Sequence, residues 1–211
     1  MKELNCDYLI VGAGAAGCVV SNRLSNNLNN NVICIEAGGK DTNSFIKIPA
    51  GFSKTVYNDK INWPYYTEET DNTAYRKIRF PRGKVVGGSS SINGHLYVRG
   101  QADDYDGWAQ KGCLGWSWSD VLPYFMKAET RPEGNKNFRG NEGPLHISDL
   151  KSPHPLAKLF IQTAHSIGIK KNTDYNSGDQ EGSFLYQTMI KNSMRWSCLL
   201  YTSDAADEIV R

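Results

Sequence analysis

This 211-residue sequence has no long apolar run and almost no net charge. No run approaches the ~20 apolar residues of a membrane-spanning helix, so we expect no transmembrane segment. The 24 basic and 22 acidic residues leave a formal charge of only +2. That balance argues against nucleic acid or an anionic membrane surface as a partner. No apolar leader precedes the first predicted strand, so we predict no signal peptide.

Disulfide and metal-binding patterns are missing as well. The five cysteines are scattered, odd in number and without C-x-x-C spacing, which disfavours a disulfide framework and a zinc site. We therefore predict no metal site, a reducing compartment and a cytoplasmic location. The hydrophobic fraction of 39% is nevertheless typical of a globular protein with a packed core.

The first informative pattern is a strand–helix–strand unit near the start of the chain. Tyr8–Val11 and Val32–Ile35 are short apolar runs, typical of strands buried on both faces of a parallel sheet. A helix is predicted between them. Gly12-x-Gly14-x-x-Gly17 joins the first strand to this helix, which is the context in which such a motif binds a dinucleotide.

Each residue of this turn has a predicted task. Gly12 makes the tight turn, Gly14 lets a pyrophosphate approach, and Gly17 permits close helix–strand packing. The helix N-terminus offers N–H groups to the phosphates. Glu36 lies 19 residues after Gly17, the spacing expected of a carboxylate that binds a ribose 2′-hydroxyl and disfavours NADP. This unit alone does not separate NAD from FAD, because both carry ADP.

A second glycine-rich stretch runs from Pro81 to Gly100. It combines glycines with three consecutive serines and an asparagine, and Val85, Val86 and Ile92 interrupt it as apolar anchors. That composition favours an ordered turn close to a ligand over a flexible linker. A nicotinamide enzyme needs only one phosphate turn, so the second turn favours the larger cofactor, FAD.

The remaining chain is predicted to be ordered throughout. The aromatic-rich segment 41–79 is interpreted as an ordered excursion packed over the first unit. Helices and strands are then predicted over Ala102–Gln110, from a Ser117 or Ser119 cap to Glu129, over Leu145–Ile147, from a Ser152 cap to Gly168, and over Phe184–Ile190.

Together these motifs resemble the glucose–methanol–choline (GMC) oxidoreductases, with choline dehydrogenase and related alcohol dehydrogenases nearest among the members. The segments that carry the resemblance are Asp7–Gly17, Glu36–Gly39, Asn62-Trp63, Pro81–Gly94, Arg99-Gly100, Asp104–Trp108, Gly115–Ser117 and Val121–Phe125. It covers essentially all of residues 4–197, and the Gly/Ser stretch is its most specific part.

The resemblance implies an α/β fold. Residues 1–145 would form part of a doubly wound, Rossmann-like FAD-binding domain, and 146–197 would begin an α+β substrate domain. It also implies FAD as cofactor and oxidation of the CH–OH group of a small-molecule alcohol. The alcohol would be choline-like or another primary alcohol, with hydride transfer to flavin N5. The electron acceptor is not specified.

The resemblance further implies which residues hold FAD. Ala15 and Ala16 would meet the pyrophosphate and Glu36 the adenosine ribose. The predicted cofactor-binding residues are Gly12, Gly14, Ala15, Ala16, Gly17, Glu36, Ala37, Val86, Gly88, Ser89, Asn93, Gly94 and Leu96. Some family members attach FAD through a histidine just before the asparagine position. Ile92 stands there, so that covalent link is not expected.

No catalytic residue is predicted within this chain. In the family the catalytic histidine and its His/Asn partner lie near the C-terminus, and no residue here occupies those positions. No pair among His95, His146, His154 and His165 can be argued into a general-base site. We therefore expect a fragment that lacks the catalytic base and is inactive.

The end of the chain is interpreted separately. Residues 198–211 resemble a translated sequencing-library adapter and are predicted to be a non-native tail. Two functions of other classes stay open at this point, a non-catalytic FAD- or ADP-binding module and an NAD-dependent dehydrogenase. The latter would have no use for Pro81–Gly100. A lyase of the same family is not separable from sequence.

Overall fold

The computed structural model describes residues 3–197 and 209–210. In chain order its helices and strands are β1 (Tyr8–Val11), α1 (Ala15–Ser25), β2 (Val32–Ile35), α2 (Ser44–Lys47), α3 (Phe52–Thr55), β3 (Asn62–Trp63), β4 (Arg82–Gly83), α4 (Ala102–Gln110), α5 (Trp118–Ala128), β5 (Glu129–Thr130), β6 (Leu145–His146), α6 (Pro155–Ser166), β7 (Ile190–Lys191), β8 (Met194–Arg195) and β9 (Ile209–Val210). In this part of the chain no helix is both long and apolar enough to cross a membrane.

The chain divides into two compact units. Unit 1 comprises Met1–His95 and Asn192–Arg211, and unit 2 comprises Leu96–Lys191. Both are mixtures of helix and strand, in agreement with the predicted α/β class. The predicted domain boundary at residue 145 and the non-native tail stay predictions. Of that tail, residues 198–208 and 211 lie outside the described residues.

Unit 1 contains a three-stranded parallel sheet with strand order β1-β2-β9. Tyr8 pairs with Val32, and Cys34 with Ile209. The strand–helix–strand prediction is therefore confirmed. However, the expectation that both strands are buried on both faces is wrong for β1, where Val11 is 77% exposed. In β1 only Ile10 packs against the buried cluster under α1.

The predicted excursion, residues 41–79, is ordered, and both hydrogen bonds and an apolar cluster join it to the second glycine-rich stretch, where Ile46 and Ile61 pack with Val85 and Ile92. The buried Asn62 Nδ2 donates to the carbonyls of Thr55 (2.7 Å) and Asn58 (2.8 Å). Thr55 Oγ1 in turn donates to the Ile92 carbonyl at 3.3 Å. Most of the aromatic rings of this segment are at least two-fifths exposed, so hydrogen bonds and aliphatic contacts, rather than ring packing, hold it in place.

Unit 2 agrees with the predicted helices and departs from one cap and one strand. Ser117 caps α5 by accepting the Asp120 N–H. By contrast, the predicted Ser152 cap of α6 is wrong, because His154 caps that helix and Pro155 occupies its first position, where a proline starts a helix well. The predicted strand Phe184–Ile190 reduces to β7. Phe184 instead stacks on Tyr175, with ring centroids 4.2 Å apart.

The interior of unit 2 is built around a buried ion network rather than an apolar cluster. Glu129 is 0% exposed and accepts two hydrogen bonds from Arg139, at 2.7 and 3.1 Å. Arg99 Nη2 approaches the same carboxylate at 2.8 Å. Arg139 also reaches Asp174 at 2.5 Å. Removing one member would leave an uncompensated buried charge, so we expect the stability of unit 2 to be sensitive to the loss of any one of them.

Candidate functional site

A cleft of about 620 Å³ opens in unit 1 where β1 and β2 end. Ligands of open α/β sheets bind outside the carboxyl ends of such strands. The residues that line the cleft are Val11, Gly12, Gly14, Ile35, Glu36, Ala37, Trp63, Gly83 and Gly88. Five of them, Gly12, Gly14, Glu36, Ala37 and Gly88, belong to the predicted cofactor-binding set.

The first glycine-rich turn, Gly12–Gly17, has both an open face and a closed face. Gly12 adopts a φ of +97°, and its N–H donates to the Ile35 carbonyl at 2.8 Å. A Cβ at Gly12 or Gly14 would meet no atom within 4 Å. A Cβ at Gly17 would lie 1.9 Å from the Gly12 carbonyl oxygen. The open face therefore leaves room for a ligand to approach the backbone, while Gly17 serves packing.

The start of α1 is suited to a phosphate. Ala15 and Ala16, its first two residues, are exposed and carry small side chains. The first turn contains no acidic residue. Because the first N–H groups of a helix have no partner within it, they and the positive end of its dipole favour an anion.

Glu36 braces the first turn from the end of β2. Its Oε2 accepts the Ala13 N–H at 2.8 Å, and its Oε1 accepts the Gly38 N–H at 2.8 Å. A carboxylate has about four lone-pair positions, so capacity remains for ribose hydroxyls. Glu36 therefore has a structural role that the sequence did not reveal, because it holds the Ala13 and Gly38 N–H groups. Its ribose contact stays a prediction that this role leaves room for.

The second glycine-rich turn, Gly87–Gly94, touches the first. The Gly87 N–H donates to the Ala13 carbonyl at 2.7 Å, and a Cβ at Gly88 would lie 3.0 Å from the Gly14 Cα. Gly87 and Gly88 both have positive φ, +88° and +55°. Glycine adopts this conformation without steric cost. The two turns therefore meet at one cleft, as expected if both serve one cofactor.

The other predicted residues lie in more varied surroundings. Val86 is buried in the core beside Cys18 and Cys34, so its side chain is not a lining group. Ser89 is exposed, and its Oγ accepts the Gly83 N–H at 3.1 Å. Asn93 and Gly94 follow in the same turn of unit 1. Leu96 is the first residue of unit 2 and is half exposed.

Sequence reasoning missed four lining residues, Val11, Ile35, Trp63 and Gly83. For the first two a signal existed, because they are the last residues of β1 and β2, next to the predicted phosphate turn. Trp63 stacks on Tyr65 with centroids 6.0 Å apart and carries Lys84 Nζ 4.4 Å from its ring centroid. The resemblance included Asn62-Trp63, but nothing local assigned that pair to a cleft.

Two buried basic groups lie beneath the second turn. His95 is 8% exposed, and its Nδ1 has no hydrogen-bond partner among the described residues. Burial, reinforced by the charge of Arg195, lowers the pKa of His95 to about 4. Burial also lowers the pKa of Arg195 to about 10. At neutral pH the imidazole is therefore neutral and the guanidinium charged.

The donor set fits a flavin dinucleotide better than a metal. Within the described residues no group of three or more His, Cys, Asp or Glu could hold a metal ion. The cleft instead offers glycine backbone, the N-terminus of α1 and one carboxylate, which match a pyrophosphate and a ribose.

Comparison with known proteins agrees with this chemistry. Residues 6–204 match the family described as GMC oxidoreductase. An oxygen-dependent choline dehydrogenase of Rhizobium etli is 42% identical over 194 residues, which are 92% of this chain and 35% of that protein. The chain therefore spans about 35% of the length of the curated relatives that it matches.

Solved structures agree on the fold. Pyridoxine 4-oxidase from Mesorbium loti superposes with a TM-score of 0.89 at 33% identity, over 94% of this chain and 39% of that one. An FAD-dependent oxidoreductase from Chaetomium thermophilum gives a TM-score of 0.86 at 29% identity, over 96% and 37% respectively.

Proposed function

The chain belongs to the GMC oxidoreductases, and from that premise we propose that it forms the FAD-binding part of an enzyme that oxidises an alcohol. FAD as the cofactor agrees with the family and with an FAD-dependent neighbour of the same fold. The reaction would take place at the CH–OH group of the alcohol. FAD, when bound, accepts the hydride.

A choline-like or other small primary alcohol is the substrate that we propose. The name of the Rhizobium etli relative supports choline, which is itself a primary alcohol. We also propose a reducing, cytoplasmic setting, because the five cysteines of the sequence are scattered, odd in number and without C-x-x-C spacing.

The observation that carries the proposal is the meeting of the two glycine-rich turns at one cleft. The Gly87 N–H donates to Ala13 at 2.7 Å, so the second turn adjoins the predicted phosphate site. In the proposed complex the start of α1 would hold the pyrophosphate and Glu36 would accept a ribose hydroxyl. The Ser89–Gly94 segment would contact the flavin end.

Ligand titrations of the purified 211-residue chain test this assignment. If both turns serve one cofactor, FAD should bind at least about tenfold more tightly than ADP, because only FAD reaches the second turn; tenfold corresponds to about 1.4 kcal/mol. NAD should bind more weakly than FAD. Flavin fluorescence and competition by ADP would give the dissociation constants. NAD binding as tight as FAD binding, or no retention of flavin, would overturn the proposal.

We further propose that this chain alone does not turn over. His95 is the only histidine of the described part of unit 1, and it is buried beneath the second turn. The flavin of the loaded chain should keep its absorbance when choline or benzyl alcohol is added without oxygen. Bleaching by an alcohol would contradict the absence of a catalytic base.

A further inference from the structure

Arg195 is a buried cation without an acidic partner in the described part of the chain. It is 1% exposed, and none of the described ion pairs includes it. Buried arginines are normally paired with a carboxylate, because an unpaired buried charge is costly. The burial of the Arg195 guanidinium therefore needs an explanation other than an ion pair.

Among the residues that the structure describes, the Arg195 guanidinium makes hydrogen bonds only to neutral oxygens. Nε donates to the Ile46 carbonyl at 2.8 Å, and Nη1 donates to the Ser90 carbonyl at 3.2 Å. Nη1 also donates to Asn93 Oδ1 at 2.8 Å, while Nη2 donates to the Asn93 carbonyl at 2.6 Å. Arg195 thus grips Asn93 through both its side chain and its backbone, from 102 positions along the chain.

These contacts fix which way the Asn93 amide faces. Its Oδ1 accepts two donors, the Arg195 Nη1 and the His95 backbone N–H at 3.0 Å. An amide NH₂ group cannot accept either bond, so the orientation is determined by the network. Asn93 is exposed, and Nδ2 makes no hydrogen bond to any described residue. The side chain therefore offers a donor to a ligand.

We propose that Arg195 is a positioning residue, which holds Asn93 so that its Nδ2 donates to an acceptor atom of the bound cofactor. This proposal rests on the proposed function, because it takes the flavin end of FAD as the ligand of the second turn. The isoalloxazine ring carries carbonyl oxygens and ring nitrogens that can accept such a bond. The bidentate grip of an arginine is specific to its planar fork, and lysine does not reproduce it.

Asn93→Asp removes the Nδ2 donor while keeping the hydrogen bonds that Arg195 makes to residue 93. Aspartate keeps an oxygen for Arg195 and for the His95 N–H, but it replaces the Nδ2 donor by an acceptor. We expect the thermal stability of the FAD-free chain to be unchanged or higher, and FAD to bind about tenfold more weakly or worse. Unchanged FAD affinity in Asn93→Asp would by itself overturn the proposal.

Arg195→Lys keeps the positive charge but loses the paired hydrogen bonds to Asn93. The matched control is Arg23→Lys, because Arg23 is exposed on α1. In the FAD-free chain, Arg195→Lys should accelerate amide exchange at His95 by at least about tenfold, while Arg23→Lys should not. FAD affinity per folded molecule should fall in Arg195→Lys only. A lower stability with unchanged FAD affinity would show a merely structural role and would overturn the proposal.

The two readouts also distinguish this inference from the proposed function. If the wild-type chain binds no FAD, the proposed function fails, but amide exchange still reports whether Arg195 holds Asn93. If FAD binds and exchange is unchanged in Arg195→Lys, only the positioning role fails. Should Arg195→Lys not fold, Asn93→Asp decides the question through its FAD affinity.

Discussion

The two glycine-rich turns share one cleft but are held in place by different means. The first turn, Gly12–Gly17, is supported from within its own strand–helix–strand unit. Gly12 donates to Ile35, and Glu36 accepts from Ala13. The second turn, Gly87–Gly94, depends on groups from far along the chain. Arg195 binds it from 102 residues away.

This difference predicts how each turn responds to change. A locally supported turn forms together with its strands and is sensitive mainly to its own backbone geometry. A turn supported by distant residues forms only after long loops have closed, which carries an entropic cost. Its sensitivity therefore extends to residues outside the motif. Substitutions within the first turn and titration beneath the second would test this distinction.

The largest effect should come from Gly17→Ala. The added Cβ would lie 1.9 Å from the Gly12 carbonyl oxygen, a backbone atom that cannot move without breaking the turn. We expect a loss of stability of about 4 kcal/mol or more, or failure of unit 1 to fold. Urea unfolding followed by circular dichroism would measure it.

Gly107→Ala is the control for that experiment. It lies within α4, where a Cβ meets no atom within 4 Å, and replacing glycine by alanine inside a helix should stabilise by about 0.5–1 kcal/mol. If Gly17→Ala were as stable as Gly107→Ala, the close approach of α1 to the first turn would be refuted.

How far the sequence predicted each turn follows from the same distinction. The first turn could be predicted almost completely, since spacing within about 30 residues fixes its strands, its helix and its acid. The exposure of β1, the lining positions of Val11 and Ile35 and the bracing role of Glu36 escaped, because a motif does not show which side chains stay uncovered or which backbone N–H groups a carboxylate meets. For the second turn, composition indicated a ligand-binding turn, but no pattern connects Asn93 to Arg195. Contacts of that range depend on the fold as a whole.

The second-largest effect should be a pH dependence beneath the second turn. The pKa of His95 is lowered to about 4, chiefly by burial and also by Arg195, against about 6.5 in an unfolded chain. Below pH 6.5 the unfolded chain therefore binds a proton that the folded chain does not. Stability should fall as the pH drops from 6.5 to 4, by up to about 3 kcal/mol.

His95→Met isolates this contribution from the carboxylates that titrate in the same range. Methionine is close in size, apolar and without a proton to bind, so the variant should lack the His95 component of the slope. The difference between the two proteins in urea unfolding free energy, measured from pH 4 to 7, gives that component. Parallel curves would mean that His95 is protonated in the folded chain or accessible to water.

Alanine substitutions on the open face of the first turn should change stability less than Gly17→Ala or the titration of His95, and on this face ligand binding and folding can be separated. Gly12 has a φ of +97°, so Gly12→Ala should cost about 1–2 kcal/mol from backbone strain. Gly14 has a φ of −76° and open space around its Cβ position, so Gly14→Ala should change stability by no more than about 0.5 kcal/mol.

Gly14→Ala, which should barely change the stability of the chain, should nevertheless weaken FAD binding strongly. The Cβ occupies space that the predicted pyrophosphate would enter, so we expect FAD affinity to fall at least about tenfold, or 1.4 kcal/mol, in a chain that is as stable as wild type. Titration of the FAD-free variant, with unfolding measured on the same sample, separates the two effects. Wild-type affinity in Gly14→Ala would mean that the pyrophosphate does not approach the first turn at Gly14. The cofactor contacts would then lie with the second turn, whose support comes from Arg195.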